Sequence, residues 1–126
     1  MKKKPTRTVT WYKKRLDPIF NKYIRLRDFR CLRCNGEDNL QCSHSMPKSE
    51  GNILRYNEKN CITLCYHCHF NWWHSNPIEA GEWFKTKFPE NHAHLLSIQN
   101  KHKKFTKEEL EELTTLYKQK IKDIEQ

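Results

Sequence analysis

The chain has 126 residues, 36% of them hydrophobic, and a net charge of +9. That length suits one domain and leaves little apolar material for a large core, so a small fold of this kind needs metal or disulfides to hold it. No apolar run is long enough to cross a membrane and no apolar signal region follows the charged start, so the expectation is a cytoplasmic protein with no membrane partner. The chain has six cysteines, and in a reducing compartment those in paired Cys-x-x-Cys read as metal ligands rather than disulfides. Residues 1–30 hold 11 of the 24 Lys and Arg but 2 of the 15 Asp and Glu, so this stretch alone carries +9 and the rest balances to zero. A basic end on a neutral body points to a polyanion, and DNA is the expected partner; a solubilising tail is the plainer alternative.

Residues 1–10 read as a basic flexible arm, and 11–126 as a single domain with a core at 31–74 and a helical extension at 75–126. Leu16, Ile19, Phe20, Tyr23 and Ile24 recur at helical spacing and predict a helix over 17–28. Asp17 would be its N-cap and Pro18 its first helical residue. CLRCNG at 31–36 reads as a metal knuckle whose tight turn Gly36 permits. Residues 39–46 alternate as a short strand that ends at His44, and Ile53–Tyr56 reads as its returning strand. Ile62 and Leu64 in NCITLC read as buried. A helix of about two turns follows Cys68, carrying Phe70, Trp72 and Trp73. Asn76-Pro77 starts another helix that Pro89 ends, and 90–100 reads as a further short one. Thr106 with Glu109 is a capping box for a last helix. Leu110, Leu113, Tyr117, Ile121 and Ile124 give that helix one apolar side, to be covered by the first helix or by a second copy in a homodimer.

Two Cys-x-x-Cys knuckles, Cys31/Cys34 and Cys65/Cys68, stand 30 residues apart. Thiolates suit Zn²⁺, and four of them make a closed tetrahedral site, so these four are assigned to one structural zinc. The gap exceeds that of a simple ribbon and implies a hairpin looped out between the knuckles. Cys42 and Cys61 fall on apolar positions and read as small hydrophobes, with Cys61 as a replacement zinc ligand kept as the alternative. His44, Asn60 and His69 stand inside or against this frame. A neutral imidazole can take a proton from water near neutral pH, and a divalent metal can stabilise a phosphodiester's developing charge. Asn60 is placed to pin the hairpin and so orient His44.

At this point the chain resembles a family. SHSMP…N-x-x-x-L-C-x-x-C-H is similar to the zinc-framed HNH, or ββα-metal, nucleases. YIRLRD, LRYNEKN and KFTKEELEEL…YKQKIKDI extend the likeness over about residues 16–124 and resemble the NinG/Rap recombination nucleases of lambdoid phages. The resemblance implies an α+β fold, a small zinc-stabilised ββα-metal core flanked by N- and C-terminal helices. It implies His44 as general base, His69 as ligand of a catalytic Mg²⁺ or Mn²⁺, and Asn60 as the structural asparagine. Many HNH enzymes carry Asp just before the base, where this chain has Ser43. His74 is the nearest substitute ligand, or else it stacks on Trp72 and Trp73. The implied function is a metal-dependent DNA endonuclease acting on branched recombination intermediates and leaving 5′-phosphate and 3′-hydroxyl ends. The alternatives are a nicking HNH enzyme of packaging or restriction type, and a zinc-stabilised DNA-binding protein without activity.

Overall fold

The computed structural model describes residues 6–47 and 50–126. Residues 1–5 of the expected arm lie outside the described residues. The described chain mixes helix with a single antiparallel strand pair and divides into two compact units. One takes the chain up to Tyr23 and from Lys104 onward; the other spans Ile24–Lys103.

Helix α1 runs Val9–Asp28, eight residues earlier than the sequence suggested. Thr8 is the true cap: its hydroxyl accepts from Trp11 N at 3.1 Å, and its carbonyl takes the first helical bond, from Tyr12 N, at 3.2 Å. Pro18 therefore lies inside the helix, on its exposed side. It costs one backbone bond there, and burial of Leu16, Phe20, Tyr23 and Ile24 on the other side outweighs it.

In the first unit α1 pairs with α4 (Lys107–Glu125). Arg15 meets Glu111 at 2.7 Å, Phe20 meets Tyr117 at 5.0 Å between ring centres, and Lys22 meets Glu125 at 3.3 Å. Partner numbers rise together, so the two helices run parallel. Both halves of the Thr106/Glu109 capping box are formed. Leu110, Thr114, Tyr117 and Ile121 of α4 are buried, and Tyr117 packs against Phe20 and Tyr23 of α1.

The second unit is built around β1 (Leu40–His44) and β2 (Cys61–Cys65). They pair antiparallel, with His44 opposite Cys61 and Leu40 opposite Cys65. The returning strand is thus NCITLC itself. Asn52–Tyr56, expected as that strand, forms a 3₁₀ turn, and Glu58–Asn60 forms a second. Gly51 sets this up: its φ is 151°, and a Cβ there would sit 2.7 Å from the Lys101 carbonyl. Leu54 is then drawn inward, where strand pairing is out of reach. Ile62 and Leu64 on one face of the pair join Cys31, Leu54, Cys68, Phe84 and Leu95 in the core.

After β2 the chain winds through His67–Trp73 as a π-helix, then α2 (Pro77–Lys87) and α3 (Pro89–Ile98). Trp72 and Trp73 pack against Trp83 of α2, and Trp72 donates to Glu79 at 3.2 Å. On the other face of the strand pair, the end of α1 is tied down. Asp28 accepts from Thr63 N at 3.0 Å, and Arg27 donates to the carbonyls of Glu58 and Cys61 at 3.0 and 2.7 Å.

Candidate metal centre and histidine cluster

The two knuckles meet. The sulfurs of Cys31, Cys34, Cys65 and Cys68 all lie within 4.8 Å of one another, and those of Cys34 and Cys65 are 3.7 Å apart. Four sulfurs at about 2.3 Å from a tetrahedral zinc stand about 3.8 Å apart, so the set fits that ion. Backbone amides already point at the sulfurs: Cys34 N at Cys31, Gly36 N at Cys34 and Cys68 N at Cys65, at 3.4–3.5 Å. The turn that allows this uses Asn35 at φ 66°, not Gly36 as the sequence suggested. Gly36 serves through its backbone, its carbonyl accepting from Cys31 N at 2.8 Å. Burial works against ionising Cys31, but the amides of Cys34, Cys65 and Arg33 bring it down to about 7. Burial pushes the Cys68 thiol up to about 12 despite the nearby Arg33. A dication bound there would resolve that conflict by holding all four as thiolates.

Asn60 is fully buried and spends its whole amide on the loop after β1. Its oxygen accepts from Met46 N at 2.7 Å, and its nitrogen donates to Met46 O at 2.8 Å and Leu54 O at 3.1 Å. Its own carbonyl accepts from Ser45 N at 2.7 Å. The two residues after His44 are thereby fixed to the start of β2. Asn60→Ala strands buried polar groups at both ends and should cost about 2–4 kcal/mol of stability, read as a lower urea midpoint at unchanged slope.

His44 ends β1, half-buried, with Nε2 at 3.1 Å from the Arg55 carbonyl. A carbonyl only accepts, so Nε2 carries the proton and Nδ1 the lone pair. His69 is arranged the other way round. Its Nδ1 donates to Gln41 Oε1 at 2.7 Å, leaving the lone pair on Nε2, which lies 3.1 Å from His74 Nε2. The His69 and His74 rings are 4.6 Å apart, and Phe70 lies against both. Burial, then the charges of His74 and His44, hold His69 below the usual histidine pKa, which favours its neutral, metal-binding form.

The π-helix makes the His69–His74 pair. In an α-helix, residues five apart point about 140° away from each other. Here His74 N bonds to His69 O at 3.1 Å, the wider i to i+5 turn, and the two side chains stack. Two nitrogens about 2.1 Å from one ion stand roughly 3.0–3.4 Å apart, and the observed separation falls in that range. The bond from Gln41 to the other nitrogen of His69 is the kind that orients a metal-binding imidazole. Nothing in the sequence marks Gln41 for such a role, since a polar residue alternating along a strand reads as ordinary surface. Ser43 is buried on the same face of β1 as Gln41, and its hydroxyl has no hydrogen-bond partner. His67 bonds Asn71 at 3.1 Å on the exposed side, and His94 meets Asn57 at 3.3 Å, apart from the cluster.

Residues 1–126 match the protein family described as Bacteriophage Lambda NinG protein. No curated protein and no solved structure matches the chain.

Proposed function

The chain belongs to the bacteriophage lambda NinG family, and from that premise we propose that it is a metal-dependent DNA endonuclease of HNH type serving phage recombination. The observation that carries the reading is the His69–His74 pair, whose two Nε2 atoms lie 3.1 Å apart, the spacing of two nitrogens on one ion. A strand pair followed by a short helix, pinned by a buried asparagine and closed by four thiols, is the frame such a site needs.

A divalent ion bound there would supply charge stabilisation for the scissile phosphate. The residues supply the rest. His69 and His74 would hold the ion through Nε2, and Gln41 keeps His69 turned towards it. His44 would take the proton of the attacking water on Nδ1, while the Arg55 carbonyl holds the ring through Nε2–H. Two imidazoles and no carboxylate favour a transition ion, so of Mg²⁺ and Mn²⁺ the second is the better cofactor. Branched DNA, such as junctions or displaced loops, is the proposed substrate on the strength of the family alone.

Supercoiled plasmid and a four-way junction, each incubated with Mn²⁺, with Mg²⁺ or with chelator, test the reading. Mn²⁺-dependent cleavage, faster on the junction, is expected. Tight binding to both without any cleavage would return the chain to a zinc-stabilised DNA-binding protein. Gln41→Leu should raise the Mn²⁺ needed for half-maximal cleavage about 10–100-fold, the usual cost of losing such an orienting bond. His69→Ala should raise it further.

A further inference from the structure

Cys42, His44 and Cys61 form a second set of metal-binding atoms, all within 4.8 Å of one another. The register explains it. His44 stands directly opposite Cys61, and Cys42 lies two residues back on β1, so all three project from one face of the strand pair. That face is the one away from Ile62 and Leu64, and the trio shares no residue with the four-cysteine centre, which gathers its own separate set of sulfurs.

We propose that this trio is a site for a zinc-like divalent ion, and that filling it silences the nuclease by occupying His44. Two thiolates balance the charge of one dication, and an imidazole completes a soft three-ligand set with a fourth position open to water. Binding forms two sulfur–metal bonds and one nitrogen–metal bond, and it releases the two thiol protons to solvent. The set is already partly organised. Cys61 and Cys42 are in hydrogen-bond contact, and the Arg25 and Arg27 guanidinium groups lie near enough to act on Cys42 electrostatically. Arg27 also fixes the Cys61 backbone through its carbonyl at 2.7 Å. The His44 Nε2–H bond to Arg55 O is the support a metal-binding histidine ordinarily has from its other nitrogen.

The silencing follows from counting lone pairs. Neutral His44 has one, on Nδ1, since Nε2–H is given to the carbonyl. The same lone pair would accept the proton of the attacking water. It can hold a metal or take a proton, not both. This half of the proposal rests on the nuclease reading; the binding half does not.

The full chain, prepared with one zinc in the four-cysteine centre, is titrated with Zn²⁺ by calorimetry, and bound metal is counted after gel filtration. His74→Ala, which lacks the histidine pair, is expected to take one further equivalent, and the Cys42→Ala/His74→Ala double variant to lose it while keeping the first zinc and its circular dichroism. His74→Ala that stops at one zinc, or the double variant that still takes the further equivalent, overturns the site. In parallel, Mn²⁺-driven DNA cleavage is followed as Zn²⁺ rises. Wild type should lose activity over the range in which the further equivalent binds, and Cys42→Ala should cleave at the wild-type rate and resist. Equal inhibition of both overturns the silencing. A wild type that cuts no DNA under any condition overturns the silencing together with the nuclease reading, and the stoichiometry still decides the site.

Discussion

His44→Ala is expected to keep its zinc, its fold and its affinity for DNA and to cut about 10²–10⁴-fold more slowly. The size follows from what is removed. The ring is half-buried and the substitution gives up its hydrogen bond to the Arg55 carbonyl, a loss on the order of 1 kcal/mol. The loop around it is held by Asn60 through Ser45 and Met46 and does not depend on the imidazole. The paired nitrogens of His69 and His74 also stay in place, so the metal requirement should change little. The loss therefore falls on proton transfer, and single-turnover cleavage at saturating Mn²⁺ reads it directly. Added imidazole should restore part of the rate, since a free base can enter the space the ring leaves. Cleavage at the wild-type rate, in a preparation free of other nucleases, would remove the base from His44. A rate loss that disappears when Mn²⁺ is raised would instead place His44 among the metal ligands.

The sequence held the parts of this site that depend on spacing alone. Two Cys-x-x-Cys knuckles announce themselves without structure, and they meet at 3.7 Å between Cys34 and Cys65. The last helix was equally plain, because a capping box and an apolar stripe are local features. What could not be read depends on winding or register. His74 follows His69 by five residues, which an α-helix would separate; only the π turn stacks them. Cys42 and Cys61 look like ordinary buried thiols until the register sets Cys61 across from His44. Pro18 misled for a related reason. Asp-Pro is a good helix start on local grounds, yet the buried face running through Leu16 and Phe20 carries α1 past it from the cap at Thr8. The tertiary gain exceeds the local penalty, and local reasoning cannot see the gain.

Cys68→Ser should release zinc and unfold the unit spanning Ile24–Lys103. Cys68 is a knuckle ligand and a core residue at once, buried with Cys31 among Leu54, Ile62, Leu64, Phe84 and Leu95. A serine there withdraws one of four thiolates and puts a hydroxyl into apolar surroundings, each change destabilising alone. Binding of a structural zinc is worth about 10–16 kcal/mol in small domains, while a whole domain of ordinary size is stable by about 5–15 kcal/mol. Metal loss is therefore enough to unfold this unit. The position of the site makes the effect cooperative, because the knuckles join the segment before β1 to the segment after β2, and Leu32 N bonds Thr63 O at 3.0 Å between them. Elemental analysis should find no tightly bound zinc, and circular dichroism should show helix loss beyond the His67–Trp73 segment. Cys42→Ala is the control: it removes a thiol from the same strand pair and leaves the four-cysteine zinc in place. If Cys68→Ser stays folded and keeps its zinc, the ion is held by some other set of residues, and the four-cysteine centre is not what holds this fold together.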